Sequence, residues 1–129
     1  MFRLSQKSDY GLILLSNLRQ ARKQSVSISS IAKKHKISTK FLSNVAQELK
    51  KGGILSAKEG VSGGYQLARD AKEIKILDVL MVLDGGLVKG DCFEADHACE
   101  CGAKEMWMEM KEQMEATIGK KTVADLVTG

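Results

Sequence analysis

A chain of 129 residues, 43% of them hydrophobic, can form one packed domain and still leave residues for a dimerisation arm. No apolar run approaches the roughly 20 residues of a membrane span, and the N-terminus lacks the pattern of a secretory signal, so we expect a cytoplasmic protein with no membrane partner. No Ser/His/Asp triad or pair of carboxylates stands out, so we expect no enzymatic activity.

The net charge of +4 is unevenly divided between the two halves of the chain. Residues 1–69 carry 13 Lys and Arg against 3 Asp and Glu, whereas residues 70–129 carry 7 against 13. A surface as basic as that of the first half repels itself unless a polyanion offsets it, and nucleic acid is the usual partner. A lysine-rich face exposed to solvent is the alternative interpretation.

The spacing of apolar residues predicts three helices in the first half, over residues 6–22, 28–35 and 39–51. Ser27 and Ser38 precede the second and third helices, where a serine hydroxyl can accept a hydrogen bond from a free backbone N–H group. A short helix, a tight turn and a helix with one polar face together predict a helix-turn-helix unit that binds DNA. An ordinary helical hairpin fits this pattern about as well, and the basic charge favours DNA.

The third helix provides side chains that can bind DNA. Ser, Thr, Lys and Asn donate hydrogen bonds to phosphates, and Lys and Asn also read base edges in the major groove. The DNA-binding candidates at the start of this helix are Ser38, Thr39, Lys40, Phe41, Ser43 and Asn44.

A β-hairpin is predicted directly after this helix. Residues 54–57 and 65–67 alternate as short strands, and a glycine-rich loop with a basic end joins them. A hairpin in this place is the wing of a winged helix, which contacts phosphates or the adjacent minor groove. The candidate wing residues are Lys58, Ser62, Gly63 and Gly64.

The three cysteines follow a further apolar helix, which is predicted over residues 74–83 and expected to pack on the first. Cys92, Cys99 and Cys101 lie within ten residues of a polar segment, where free cysteines are poor core residues. Thiolates suit iron–sulfur clusters and zinc alike, and a metal-free set of redox-sensing thiols is a third option. His97 is the local candidate for a fourth ligand.

A C-terminal helix is predicted over residues 103–118, followed by a short turn over residues 123–127. Its Ala103, Trp107, Met110, Met114 and Thr117 alternate at spacings of four and three, which is typical of a coiled-coil seam. Packing onto its own domain is one use of this seam, and a second copy of the chain is the other. We favour a homodimer that binds a pseudo-palindromic operator in double-stranded DNA.

The expected fold is therefore mainly α with a small β-hairpin. A winged helix-turn-helix domain over residues 1–85 precedes a cysteine-containing loop over 86–102, and 103–129 form a long C-terminal dimerisation helix and tail.

In this order of parts the sequence resembles the IscR/NsrR family of winged-helix regulators over nearly the whole chain. The matching segments are Arg3-Leu4-Ser5 with Asp9-Tyr10, Ile37-Ser38 to Phe41-Leu42, Gly63-Gly64-Tyr65-Gln66-Leu67, Ile76-Leu77-Asp78-Val79, the cysteines and Trp107. The resemblance implies a transcription factor, commonly a repressor, that binds DNA as a dimer.

The resemblance also implies a 2Fe–2S or 4Fe–4S cluster held by Cys92, Cys99 and Cys101. In such relatives the fourth ligand is a histidine of the long helix or an acidic residue of the partner's first helix. The matching positions here are Lys104 and Asp9. Because a charged lysine cannot be a ligand, the partner's Asp9 is the leading candidate and His97 is the second. Only one residue separates Cys99 from Cys101, whereas relatives have several.

Two other functions fit parts of this pattern. One is a cluster-free regulator of the same family that controls sulfur or cysteine metabolism through thiols. The other is a small iron–sulfur electron carrier, against which the basic first half and the wing both count.

Overall fold

The computed structural model describes residues 5–21, 24–60, 63–85 and 102–126. These residues form five α-helices and one two-stranded antiparallel sheet, which confirms a mainly α fold with a small hairpin. The elements are α1 (Gln6–Gln20), α2 (Ile28–His35), α3 (Thr39–Lys51), β1 (Leu55–Lys58), β2 (Gly64–Leu67), α4 (Ile76–Asp84) and α5 (Lys104–Ile118), with 3₁₀ turns at Ala71–Glu73 and Val123–Asp125.

The first three helices begin at serine caps. The hydroxyls of Ser5, Ser27 and Ser38 accept hydrogen bonds from backbone N–H groups three residues later, which stabilises helix starts by about 1 kcal/mol each. The predicted bounds of α2 and α3 are confirmed. Helix α1 ends two residues earlier than predicted, because the chain turns at Ala21, whose carbonyl accepts from the Gln24 N–H at 3.1 Å.

The strands differ from their predicted bounds by one residue: β1 begins and ends one residue later, and β2 begins one residue earlier. Ile54 does not enter β1 but is buried in the core, and its N–H donates to the Leu49 carbonyl at 3.0 Å. The segment before α2 pairs with the hairpin, because Val26 and Tyr65 exchange two backbone hydrogen bonds of 2.9 Å. This pairing requires Gly64, since a Cβ atom there would lie 2.3 Å from the Val26 carbonyl oxygen.

One hydrophobic core joins α1, α2, α3, α4 and the C-terminal 3₁₀ turn. Its fully buried side chains include Leu14, Leu15, Leu18, Leu42, Leu49, Ile74, Val79 and Val123. The expected packing of the fourth helix on the first is confirmed: α1 and α4 approach so closely at Gly11 that a Cβ atom would lie 2.5 Å from Leu83 Cδ1.

The tail after α5 returns to this core. Ile74 pairs with it as extended chain, accepting from the Val123 N–H at 2.9 Å, and α4 therefore begins at Ile76 and not at the predicted residue 74. Arg19 of α1 also donates to the Leu126 carbonyl at 2.9 Å. The tail thus shares its core with the winged-helix residues. The predicted division of the chain at residues 85 and 102 stays a prediction.

None of the described helices is long and apolar enough to cross a membrane.

Candidate nucleic-acid interface

Helix α3 is held by one face and exposed on the other. Leu42, Val45 and Leu49 are buried, with at most 1% of their surface exposed, and they fix the orientation of the helix. A partly exposed ion pair of 3.1 Å between Lys7 of α1 and Glu48 adds a weaker contact between the two helices. The polar face of α3 is therefore presented to solvent by a rigid support, as recognition of a ligand requires.

Most of the predicted DNA-binding residues of this helix share that outer face. Thr39, Lys40 and Asn44 are exposed, and Ser43 is half-buried beside them. Lys40 and Asn44 are four residues apart, so they lie one turn apart on one side of the helix. These side chains form a continuous row of hydrogen-bond donors.

Two of the predicted DNA-binding residues, Ser38 and Phe41, also stabilise the start of α3. The Ser38 hydroxyl accepts from the Phe41 N–H at 3.2 Å and so caps the helix. The Phe41 ring packs edge-on against Tyr10 of α1, with ring centroids 5.3 Å apart. Both residues hold the start of α3 in place.

The wing lies at the tip of the hairpin. Lys58 is exposed and pairs in register with Gly64. Gly63 closes the tip, since its N–H donates to the Gly60 carbonyl at 2.9 Å and a Cβ atom would lie 2.6 Å from the Lys58 carbonyl oxygen. Ser62 lies outside the described residues.

The helix-turn-helix unit is strongly basic. Within residues 24–60 the acidic side chains are Glu48, which is paired with Lys7, and Glu59. Among the described residues the ion pair is that of Lys7 and Glu48, so no lysine within residues 24–60 takes part in one. The exposed lysines of this unit are Lys33, Lys34, Lys36, Lys40, Lys50, Lys51 and Lys58. Of these lysines, only Lys40 and Lys58 were predicted from the sequence as DNA-binding residues, although the clustering of the others in the chain was visible.

A polar cluster fastens the start of α1 to the end of α4. The Asp84 carboxylate accepts hydrogen bonds from the Ser5 hydroxyl, at 2.6 Å, and from the hydroxyl of Ser8, which is fully buried. Gly85 then ends α4 in a left-handed conformation with φ 77°. Asp9, the predicted fourth ligand, follows Ser8 and is exposed. Sequence patterns offered no signal for this long-range contact.

Cys92, Cys99, Cys101 and His97 lie outside the described residues. Within residues 5–21, 24–60, 63–85 and 102–126 no three His, Cys, Asp or Glu side chains are grouped to hold a metal ion. Gly85, the last described residue before the cysteines, lies beside the first turn of α1 through the Asp84 cluster.

Helix α5 has no buried residue. Trp107 and Met110 of the predicted seam are 40% and 43% exposed, and the neighbouring Met106 is 52% exposed. The C-terminal end of the helix is the part in contact with α4, where Ile118 packs partly against the core. Away from that end, Ala103, Met108 and Met114 are half-buried, whereas Met106, Trp107 and Met110 remain exposed.

The chain is similar to known proteins over nearly its whole length. The family model Rrf2, described as an iron-dependent transcriptional regulator, matches residues 4–129. Protein rrf2 of Nitratidesulfovibrio vulgaris is 32% identical over 97% of this chain and 87% of its own length.

Two solved structures have the same fold. CymR, the global cysteine regulator of B. subtilis, superposes with a TM-score of 0.83 at 25% identity, covering 97% of this chain and 95% of its own. IscR of T. potens gives a TM-score of 0.77 at 27% identity, covering 98% and 93%. The exposed polar face of α3 and the wing are the parts expected of a DNA-binding regulator. Together with the family model and the relative, they show that the chain belongs to the Rrf2 family of transcriptional regulators.

Proposed function

We propose that this regulator is a homodimeric DNA-binding repressor that senses nitric oxide, redox state or iron–sulfur status through a cluster held by its cysteines. The observation that carries the DNA part is the anchored α3, whose apolar face is buried while its polar, basic face is exposed. In a winged helix this is the helix that enters the major groove.

Thr39, Lys40, Ser43 and Asn44 are the residues that contact base edges and phosphates in this proposal. Ser38 and Phe41 position them, and Lys58, Ser62, Gly63 and Gly64 bring the wing to the backbone beside the groove. Gly63 and Gly64 shape the wing itself, because a Cβ atom at these positions would meet the backbone of Lys58 or Val26. The lysines supply attraction that does not depend on base sequence.

Selection from a pool of random duplexes tests this directly. We expect recovery of a pseudo-palindrome, and log K should fall steeply with log salt, by about 0.9 for each phosphate contact. Asn44→Ala should relax preference at one base position in each half-site, whereas Gln113→Ala on α5 serves as the control. Recovery of no preferred sequence would contradict the proposal.

The dimer is proposed to form through α5. Trp107 and Met110 are exposed at seam spacing, and apolar side chains that repeat in this way pack against a second helix. A two-fold dimer would present two copies of α3 about one DNA turn apart.

A charge placed in the seam tests the dimer. Met110→Glu should raise the dimer dissociation constant at least roughly tenfold, which is about 1.4 kcal/mol, because the carboxylate would lose its hydration. Ala116→Glu adds the same charge away from the seam and should leave the dimer intact. Analytical ultracentrifugation distinguishes the two, and equal dissociation constants would contradict an α5 interface.

The donor set fits an iron–sulfur cluster. Three thiolates within ten residues are suitable ligands, and the exposed Asp9 carboxylate has no hydrogen-bond or ion-pair partner among the described residues. When bound, such a cluster supplies redox chemistry and reactivity with nitric oxide or oxygen. Cys92, Cys99 and Cys101 would hold it, with Asp9 of the partner subunit as the leading fourth ligand and His97 as the second.

Purification without oxygen tests the cluster. We expect a coloured protein with iron and sulfide in equal amounts, and Asp9→Ala should change its visible spectrum if Asp9 is the fourth ligand. His97→Ala is the parallel variant for the second candidate. An unchanged spectrum for Asp9→Ala would remove Asp9 from the ligand set.

A cluster-free thiol regulator is the second candidate function. The similarity to CymR, named as a cysteine regulator, favours it. It predicts a colourless protein without iron even when oxygen is excluded, together with the same salt-dependent binding to DNA. The family match favours both of these candidates over an electron carrier.

A further inference from the structure

The turn between α2 and α3 contains a residue in an unfavourable conformation. Lys36 has φ 56° and ψ 45°, and it is the one non-glycine residue with positive φ among those the structure describes. Its N–H donates to the Lys33 carbonyl, and the Ile37 N–H donates to the Ala32 carbonyl at 2.8 Å. This pair of bonds is a Schellman motif, which strongly favours glycine at the position of Lys36.

The side chain of Lys36 makes no contact among the described residues that would offset this unfavourable conformation. It is exposed, and it makes no hydrogen bond or ion pair with any described residue. A cation at a helix C-terminus does interact favourably with the helix dipole, but Lys33 and Lys34 already occupy the last turn of α2. Residues held in sparsely populated backbone conformations cluster at functional sites, which directs attention to a ligand of the Lys36 side chain.

The surroundings of Lys36 define the charge of that ligand. Lys33, Lys34 and Lys40 flank it in the chain, and no Asp or Glu occurs between Asp9 and Glu48. Glu48 is itself paired with Lys7. Four lysines within eight residues therefore have no carboxylate to offset them locally, and a polyanion would relieve their repulsion.

We propose that Lys36 binds a backbone phosphate of duplex DNA, and that its charge is the reason for lysine at a position suited to glycine. This inference rests on the proposed DNA binding by α3. Lys36 lies two residues before Ser38, the cap of α3, so a helix seated in the major groove would place the turn at the groove's edge, where the phosphates lie.

Three variants separate charge from backbone conformation. Lys36→Gly and Lys36→Asn both suit a left-handed residue and remove the charge, whereas Lys36→Arg keeps the charge. Lys72→Gln removes an exposed lysine from the 3₁₀ turn in the acidic half and is the control. Relief of strain should raise the melting temperature of Lys36→Gly by roughly 2 to 4 °C.

The measurement is binding to the duplex recovered by selection, over a range of salt concentrations. Lys36→Gly and Lys36→Asn should weaken binding several-fold and reduce the slope of log K against log salt by about 2 for a dimer, one phosphate for each protomer. Lys36→Arg and Lys72→Gln should match the wild type. Unchanged affinity and slope in a more stable Lys36→Gly would overturn the assignment of Lys36 alone. Absence of duplex binding by the wild type would overturn the proposed function and this inference with it.

Discussion

Helices α3 and α5 are similar in length, with 13 and 15 residues, and both carry apolar side chains at helical spacing. In α3 that stripe is buried: Leu42 and Leu49 have no exposed surface. In α5 the corresponding side chains are exposed, Trp107 by 40% and Met110 by 43%. A helix whose apolar face is covered offers its polar face to a ligand, whereas a helix whose apolar face is uncovered offers that face to another protein. This contrast is the basis for proposing DNA as the ligand of α3 and a second chain as the partner of α5.

The largest expected effect is a loss of stability when the buried apolar face of α3 is shortened. Leu42→Ala should lower the free energy of unfolding by about 3 kcal/mol, because it removes buried methyl groups and leaves a cavity. Met110→Ala on α5, measured in protein dilute enough to dissociate a dimer, should change it by about 0.5 kcal/mol or less. Urea denaturation measures both values. Similar losses for the two variants would mean that the α5 stripe is packed within its own chain.

A smaller effect is expected at the wing. Gly64→Ala should lower the free energy of unfolding by about 2 kcal/mol, because its Cβ atom would collide with the Val26 carbonyl. Gly102→Ala, before α5, meets no atom within 4 Å and is the matched control. If Gly64→Ala were as stable as Gly102→Ala, the hairpin would not be held to the segment before α2.

The cap of α3 can separate stability from DNA binding. Ser38→Ala should cost about 1 kcal/mol in the free energy of unfolding, because the Phe41 N–H loses its acceptor. Ser38→Asp keeps an acceptor and should preserve stability, but its charge should weaken DNA binding through repulsion of phosphate. Thermal denaturation and duplex binding, measured on both variants, check this. Undiminished DNA binding by Ser38→Asp would place the start of α3 away from the phosphates.

The smallest effect concerns the tail that returns to the core. The Thr122 N–H donates to the Asp125 carboxylate at 2.9 Å, and this hydrogen bond, helped by the charge of Lys121, lowers the pKa of Asp125 below its usual 3.8. Because the folded pKa is lowered, the stabilisation is present above the unfolded value and is lost as pH falls through the folded value. Asp125→Asn should therefore reduce the acid dependence of stability slightly. Glu105→Gln on α5 is the control, and an identical acid profile in both variants would contradict the contribution of Asp125.

The local features of the fold followed from the sequence. Serine caps and apolar spacing predicted α2 and α3 to the residue, because both signals lie within a few positions of each helix end. The seam of α5 was likewise visible in the positions of Trp107 and Met110, and the structure leaves those side chains exposed in the single chain.

The long-range contacts did not follow from the sequence. The bridge from Val26 to Tyr65, the return of Val123 to the core and the cluster of Ser5, Ser8 and Asp84 each join residues far apart in the chain. No local spacing encodes such pairs. Lys36 was missed for another reason, since its left-handed backbone is a property of the turn and not of the residue type.

The stoichiometry of the protein on its selected duplex tests most directly whether α3 binds DNA while α5 joins two chains. Sedimentation of the wild type with a duplex of about 30 base pairs should give two protomers for each duplex, on half-sites about one helical turn apart. Met110→Glu should bind more weakly and give single protomers at low concentration. One protomer for each duplex in the wild type, with the affinity of Met110→Glu, would contradict the account.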